Sequence, residues 1–237
     1  AVMIAIPPRA SLSRAWHGVL VLAVGAALLV QIVLSVRGGD GADPALSTRL
    51  VRLVSYFTIQ SNVLVLVGAV AVMLRPDTDG PVWRVLRLDG VLGITITGIV
   101  YSTVLAGLDN PQGAGAFTNT VFHYFSPWWA LAGWLLFGPR PRIDRRTLGR
   151  AVLWPMLWIG YTLLHGAVTD WYPYPFTDVV ALGYPAVLRN LALVLLITVA
   201  LATLLRTLDR RLTATGVGTT PRPGARDAAG ADPAQEA

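Results

Sequence analysis

The stretch "VRLVSYFTIQSNVLVLVGAVAVML" (51–74) decides the fold class of this chain. Its second half is almost wholly apolar, and the whole run exceeds the roughly 20 residues that a helix needs to cross a bilayer. Its first half carries several polar side chains, among them Ser55, Thr58 and Asn62. Polar groups inside hydrocarbon cost free energy and tend to face a cavity, a partner or a reacting molecule. The stretch therefore predicts a membrane-spanning helix with a functional polar face towards one end.

The composition extends this interpretation to the rest of the chain. Of its 237 residues, 54% are hydrophobic and 14% are charged, against about 25% charged residues in an ordinary soluble domain. Runs long and apolar enough to span a bilayer occur at 16–36, 51–74, 90–108, 117–138, 150–168 and 184–205. They fill more than half of the chain and leave no room for a separate soluble domain. We therefore expect an all-α fold, a polytopic bundle of six transmembrane helices within residues 1–212.

The distribution of arginine predicts the orientation of this bundle. The chain has no lysine, and most of its arginines precede the first run, follow the sixth, or lie between the second and third or the fourth and fifth runs. Because basic residues are enriched in short cytoplasmic loops, this asymmetry predicts that both termini lie in the cytoplasm. We expect the protein in the plasma membrane of the cell. Topology and contacts with membrane lipids thus explain the net charge of +6, and no nucleic-acid partner is expected.

The last part of the chain, 213–237, consists of Gly, Pro, Ala and charged residues without apolar periodicity. Such a segment cannot bury enough apolar surface to offset the entropy lost on ordering. We expect a disordered cytoplasmic tail without a functional role.

Two missing residue types exclude several chemistries. The chain has no cysteine, which excludes disulfides, thiol catalysis and cysteine-ligated metals. The absence of lysine excludes the Schiff base of a retinal protein or an aldolase. The three histidines fall in different runs and form no metal-binding motif. We expect neither a metal nor another cofactor.

The predicted topology places polar side chains of several runs at one depth. Thr58 and His123 each lie a few residues inside the outer end of their runs, about 10 Å deep at a rise of about 1.5 Å per residue. His165 lies near the outer end of the fifth run, and Arg189 and Asn190 lie near the outer start of the sixth. The inner halves of the runs are almost wholly apolar. A polar pocket in the outer half of the bundle accounts for this segregation.

A hydroxyl and an imidazole at the same depth can form a nucleophile and its base. Threonine is a weak nucleophile at its own pKa, so His123 would take the proton of Thr58 as the oxygen attacks an ester carbonyl. Asn62 follows Thr58 by four residues and Asn119 precedes His123 by four, so each shares a helix face with its neighbour. Either amide could donate a hydrogen bond to the oxyanion. The alternative is that Thr58 bonds to its own helix, as intramembrane threonines commonly do.

A resemblance to known proteins is carried by "YFTIQSN" (56–62), "NTVFHYFSPWW" (119–129) and "DWYPYPFTDVVALGYP" (170–185). With these stretches the chain resembles, over nearly its whole length, a largely actinobacterial family of six-pass membrane proteins without assigned function. More remotely, its layout is similar to the androgen-induced family of membrane threonine hydrolases, which cleave fatty acid esters of hydroxy fatty acids. The resemblance implies that Thr58 is the nucleophile, that His123 is the base, and that the substrate is a lipid ester.

Non-enzymatic functions are the alternatives. His123 and His165 lie at similar depth on different runs, as the axial ligands of haem in an electron carrier would. The pocket could instead bind or transport a lipid or another small molecule, although transport requires ionisable groups across the membrane and the inner half has almost none. The polar layer could also be interhelical hydrogen bonding in a purely structural protein.

Arg189 has two interpretations. It pairs with Asp170 or Asp178 and holds the outer loop over the pocket, or it binds the carboxylate or phosphate head group of a lipid substrate. Asp170 could in turn orient His165 or His123, as the aspartate of a catalytic triad orients its histidine.

Overall fold

The computed structural model describes residues 9–38, 44–75, 78–108 and 110–213, so the predicted tail from residue 214 onwards lies outside the described residues. Within them the chain forms α1 (Arg9–Arg37), α2 (Leu46–Ser55), α3 (Phe57–Leu74), α4 (Pro81–Val100), α5 (Gly113–Thr120), α6 (Ser126–Phe137), α7 (Arg145–Ala151), α8 (Leu153–Thr169) and α9 (Val179–Arg211). Two π-helical turns, Tyr101–Leu105 and Val121–Phe125, and a 3-10 turn, Pro175–Thr177, join them. No β-strand occurs in these ranges, and the all-α prediction is confirmed.

In the described ranges consecutive helices join end to end into six rods, and each predicted run largely coincides with one of them. α2 and α3 meet at Tyr56, and α7 and α8 meet at Val152. The π turn Val121–Phe125 connects α5 to α6, and α4 continues into the π turn Tyr101–Leu105. α9 is kinked at Gly183, whose φ of 74° is a conformation that glycine adopts without steric cost.

Some rods begin earlier than predicted because arginine-bearing segments are helical. The third run is predicted from residue 90, but α4 begins at Pro81 and includes Arg84 and Arg87. Proline suits this first helical position because its φ is already helical and its missing N–H is not needed there. α7 likewise begins directly after Asp144, whose side chain caps the helix. Charged residues that the sequence analysis assigned to loops thus extend the rods beyond their apolar parts.

Helical segments long and apolar enough to cross a membrane are Arg9–Arg37, Phe57–Leu74, Pro81–Leu105, Arg145–Thr169 and Val179–Arg211, five in the described part of the chain. The rod 113–137 is not among them, because His123 and its polar and indole-bearing neighbours lower its mean hydropathy. On the outside of the bundle, Leu22, Leu157 and Val168 are 75%, 72% and 76% exposed. Such apolar outer faces suit contact with lipid rather than with water.

α4 is the central helix of the bundle. Its residues from Leu88 to Gly98 are buried except for the half-buried Val91, whereas α1, α8 and α9 keep apolar faces exposed. Ile94 packs into a hydrophobic cluster with residues of α1, α3 and α6. Leu92 packs into a second cluster with residues of α7 and α9. α4 thus ties the two halves of the bundle together.

Contacts between rods define the two ends of the bundle. At one end Trp16 stacks on Trp129 with ring centroids 4.0 Å apart, and Asp209 accepts the backbone N–H groups of Arg142 and Ile143 at 2.7 Å. We call this the arginine-rich end, because the helix ends and loops that meet there carry Arg9, Arg14, Arg75, Arg84, Arg140, Arg142, Arg145, Arg146, Arg210 and Arg211. The opposite end, which we call the site end, contains the break between α2 and α3 and the loop 170–178.

Candidate functional site

The rod formed by α2 and α3 is broken within the stretch that decides the fold. α2 ends at Ser55 and α3 begins at Phe57, while Tyr56 between them has an extended backbone with φ −68° and ψ 125°. A break of this kind frees carbonyl groups at the end of one helix and N–H groups at the start of the next. In a membrane these groups need partners from the protein, because hydrocarbon offers none.

Polar side chains around the break supply these partners. The carbonyl of Ser55 accepts the indole N–H of Trp158 at 2.9 Å. The carbonyl of Val54 accepts the side-chain amide of Gln60, also at 2.9 Å. The hydroxyl of Ser55 lies 2.6 Å from that of Tyr161. Much of the polarity of "SYFTIQSN" (55–62) therefore stabilises the break.

Thr58 departs from this pattern. Other threonines of the bundle donate their hydroxyl to the carbonyl four residues earlier, as in Thr95, Thr97, Thr103, Thr198, Thr203 and Thr207. For Thr58 that carbonyl belongs to Val54, which lies across the break and is bonded to Gln60. Thr58 Oγ1 lies instead 3.4 Å from Nε2 of His123 and 3.1 Å from the hydroxyl of Tyr174. The helix break thus releases a buried hydroxyl from its own backbone.

The imidazole of His123 is oriented to accept a proton. Its Nδ1 lies 3.2 Å from the backbone carbonyl oxygen of Asn119, which can only accept, so Nδ1 carries the hydrogen. Nε2 then presents its lone pair to Thr58 Oγ1. His123 belongs to the π turn Val121–Phe125, and turns of this kind are frequent at functional sites. The ring is therefore in the tautomer that a general base requires.

Tyr101 supports the same imidazole from one face. The two rings stack with centroids 3.9 Å apart and an interplanar angle of 16°. The hydroxyl of Tyr101 accepts the side-chain amide of Asn119 at 2.8 Å. Asn119 thus supports His123 in two ways, directly through its carbonyl and indirectly through its amide on the stacked Tyr101.

Tyr174, which the sequence analysis missed, comes from the loop between α8 and α9. Its hydroxyl accepts the backbone N–H of Thr58 at 3.1 Å and lies 3.1 Å from Thr58 Oγ1. The phenol can therefore donate its own hydrogen to Thr58 Oγ1, while Thr58 donates to His123. Burial raises the pKa of Tyr174 to about 12, so the phenol stays protonated at neutral pH.

The loop 170–178 is anchored to the helices on both of its sides. Tyr172 packs so closely against Gly166 of α8 that a Cβ at this glycine would lie 2.0 Å from the ring. Asn190 of α9 donates its side-chain amide to the carbonyl of Phe176 at 3.0 Å. These contacts fix the loop over the break between α2 and α3.

A cavity extends from Thr58, His123 and Tyr174 into the bundle. Its volume is about 620 Å³, counting the part that opens to the surroundings. Its walls are mainly apolar and come largely from α4, α8 and α9, with Ile96, Val100, Trp158, Leu191, Val194 and Leu195 among them. The cavity therefore has an apolar body and one polar end, where the hydroxyl of Thr58 bonds to side chains rather than to its own helix.

The two asparagines predicted to bind an oxyanion do not line this cavity. Asn62 is buried and donates its amide to the backbone carbonyl of Thr58 at 2.9 Å. The amide of Asn119 is directed at Tyr101. Both asparagines lie beside the Thr58–His123 pair and position it.

His165 lies apart from the cavity, near the site end of α8. Its ring contacts Tyr161 and Trp171, and its Nδ1 lies 3.4 Å from the hydroxyl of Thr169. The structure does not pair it with His123, as bis-histidine ligation of haem would require. Within the described residues, no group of three His, Cys, Asp or Glu side chains could hold a metal ion.

Arg189 is not paired with either of the two aspartates that were considered as its partners. Arg189 is exposed and forms no ion pair with Asp170 or Asp178 in the described part of the chain. The carboxylate of Asp178 caps α9 by accepting the N–H of Ala181 at 3.0 Å. Asp170 ends α8 in the left-handed conformation, with φ 54°, and is exposed. The loop is thus held by its aromatic residues and Asn190 rather than by an ion pair.

Fold and site together define a class of protein: an all-α protein with several helices able to cross a membrane. At the end of an apolar cavity, the buried Thr58 forms a network with the half-buried His123 and Tyr174. The chain matches no protein-family model, no curated protein and no solved structure. Its function is therefore inferred from the chemistry of the site.

Proposed function

We propose that this protein is an integral membrane hydrolase of lipid esters, with Thr58 as nucleophile and His123 as general base. One observation carries the proposal: Thr58 Oγ1 lies 3.4 Å from Nε2 of His123 at the polar end of an apolar cavity. A threonine that bonds to its own helix has no hydroxyl available for attack, and Thr58 is released from that bond by the helix break.

The proposed topology has six spans, with both termini in the cytoplasm and the arginine-rich end facing it. The rod 113–137 is the remaining span, since it packs against α1 and α4 within the same bundle. The start of α1 and the end of α9 both lie at the arginine-rich end, as an even number of spans requires. The site then lies in the outer half of the plasma membrane.

In the first step Thr58 Oγ1 attacks the ester carbonyl carbon, and its proton passes to Nε2 of His123. The tetrahedral intermediate collapses as the bond between the carbonyl carbon and the alcohol oxygen breaks. The protonated His123 gives its proton to that oxygen, and the alcohol leaves. The acyl group is now esterified to Thr58, and His123 is neutral again.

In the second step a water molecule attacks the acyl carbon while His123 takes its proton. The bond between the acyl carbon and Thr58 Oγ1 breaks, and His123 returns the proton to that oxygen. A carboxylic acid leaves, so the net reaction is ester plus water to acid plus alcohol. Each group of the pair ends in its starting state.

The oxyanion of each intermediate needs a donor beside the attacked carbonyl. The amides of Asn62 and Asn119 are directed elsewhere. The phenol of Tyr174 lies 3.1 Å from Thr58 Oγ1 and is held by the N–H of Thr58. Tyr174 is therefore the proposed oxyanion donor, and the asparagines are positioning residues.

The cavity favours an uncharged, acyl-chain substrate. Its described lining contains apolar side chains, hydroxyls and one imidazole, with no carboxylate and no guanidinium. A long acyl chain can lie along α4, α8 and α9 with its carbonyl at Thr58. Membrane lipids and the esters dissolved among them are the expected source, which agrees with the lipid esters implied by the resemblance.

Hydrolysis of neutral long-chain esters by purified protein tests this function. We expect the wild type to release the fatty acid from esters with long acyl chains, and Thr58→Val to abolish release. Thr95→Val is the matched control, because it removes a buried hydroxyl that bonds to its own helix outside the cavity. Folded wild type that binds the esters without cleaving them would contradict catalysis and favour the lipid-binding alternative.

A further inference from the structure

A second cavity lies near the arginine-rich end of the bundle and shares no lining residue with the first. Its volume is about 450 Å³, again counting the part open to the surroundings. α1, α3, α4 and α6 form its walls, with Leu20, Val65, Val72 and Ala130 as apolar members. Two side chains in its lining are basic, His17 and Arg87.

Arg87 is unusual among the arginines at this end. Its three guanidinium nitrogens are buried, and none has a hydrogen-bond partner in the described part of the chain. By contrast, Arg84, one turn earlier on α4, pairs with Asp79 at 2.8 Å. Arg140 donates to two carbonyls at the end of α6 at 2.8 Å. Arg87 thus carries a buried cation without the partners that its neighbours have.

The nearest acidic residue along the helix does not neutralise this charge. Asp89 is buried on α4, but residues two apart point to different sides of a helix. No ion pair between Arg87 and Asp89 occurs among the described residues. A buried, unpaired charge is costly, and the cost falls when an anion pairs with it.

We propose that this second cavity binds the oxyanion head, carboxylate or phosphate, of an amphiphile, with Arg87 as its main ligand. A guanidinium presents a planar fork of N–H donors that matches two oxygens of either group. The apolar walls accept the chain attached to that head. His17 lies in the same wall, but its Nδ1 donates to the carbonyl of Ser13 at 2.7 Å, so Nε2 of the neutral ring carries a lone pair and the donors to the head group come from Arg87.

The test measures thermal unfolding of the purified full chain in an uncharged detergent. Three probes are added in turn: inorganic phosphate, the fatty acid laurate, and the uncharged alcohol of the same chain length. A ligand that binds only the folded protein raises the unfolding temperature with concentration. We expect laurate to raise it by at least about 2 °C and the alcohol to have a smaller effect.

Variants locate the binding. Arg87→Gln should remove the laurate shift, whereas Arg84→Gln, which removes the same charge one turn away, should retain it. Gly68→Leu should also reduce the shift, because Gly68 lines the cavity and a Cβ there meets no atom within 4 Å. This variant keeps every charge, so it shows whether laurate binds in this cavity even if Arg87→Gln does not fold.

The outcomes distinguish a free anion from an amphiphile, and binding in the second cavity from binding in the first. A shift with phosphate alone that depends on Arg87 assigns the site to a free anion, and a shift that needs laurate assigns it to an amphiphile. Laurate bound in the first cavity as a reaction product would be insensitive to Arg87, and the shift proposed for the second should persist in Thr58→Val. Equal shifts in wild type and both cavity variants, or no anion-specific shift in wild type, would overturn the proposal.

Discussion

Thr58 Oγ1 lies 3.4 Å from Nε2 of His123, although 65 residues separate them along the chain. Two local departures from regular helix produce this contact. The break at Tyr56 frees the threonine hydroxyl from its own backbone, and the π turn Val121–Phe125 carries the imidazole. A threonine hydroxyl and an imidazole with an unprotonated Nε2 therefore meet at the polar end of an apolar cavity.

Loss of the base should abolish most of the activity. We expect His123→Gln to lower the rate of ester hydrolysis by about 10²- to 10⁴-fold, the usual contribution of a general base. His165→Gln is the control, because His165 lies outside the cavity and should leave the rate unchanged. Steady-state hydrolysis by the purified variants measures both. Equal losses in the two variants would contradict the assigned roles.

Removing one phenol oxygen should separate the roles of two neighbouring tyrosines. Tyr174→Phe deletes the hydroxyl that bonds to the N–H and Oγ1 of Thr58, so we expect a loss of about 10²- to 10³-fold in kcat, as for other oxyanion donors. Tyr172→Phe deletes a hydroxyl outside this network and should change little. Comparison of kcat and KM for both variants tests this. A Tyr174→Phe enzyme with wild-type kcat would remove Tyr174 from the mechanism.

The close packing of Tyr172 on Gly166 predicts that a single methyl group displaces the loop. A Cβ at Gly166 would lie 2.0 Å from the Tyr172 ring. We therefore expect Gly166→Ala to reduce hydrolysis and thermal stability together. Gly160→Ala on the same helix should do neither, because a Cβ there meets no atom within 4 Å. Should Gly166→Ala match the wild type in both measurements, the loop would not be held as described.

The absence of cysteine makes the topology directly measurable. Gln112→Cys places a thiol at the site end, and Thr213→Cys places one at the arginine-rich end. With a membrane-impermeant maleimide on intact cells, we expect labelling of the first variant only, and labelling of both after permeabilisation. The reverse pattern would mean that the protein has the opposite orientation in the membrane. Labelling of both variants in intact cells would contradict an even number of spans.

Hydrophobic patterning was sufficient to predict the all-α fold and the presence of several helices able to cross a membrane. It did not predict the break at Tyr56, because no proline or glycine marks it and the partners of the freed carbonyls come from distant positions. Trp158, for example, bonds to Ser55 across 103 residues of sequence. The beginning of α4 was likewise hidden, because its first turns carry arginines.

Helical periodicity could not predict the contact of Tyr174 with Thr58, because Tyr174 lies in an irregular loop. The aromatic and proline-rich sequence "DWYPYPFTD" (170–178) was the available signal. The contacts of Tyr174 with Thr58 show that this loop folds over Thr58, and the packing of Tyr172 and the bond from Asn190 hold it there. For Arg189, a charge within an apolar run suggested an ion pair with Asp170 or Asp178, but the side chain is exposed and no such pair occurs among the described residues.

The most direct test of the account is to locate the adduct of a lipid-like fluorophosphonate on the purified protein by peptide mapping. Attack by an activated hydroxyl forms a bond from its oxygen to phosphorus and expels fluoride. We expect an adduct on Thr58 in the wild type and in Thr95→Val, and a strong reduction in His123→Gln. No adduct on folded wild type, or an adduct on a residue other than Thr58, would contradict it.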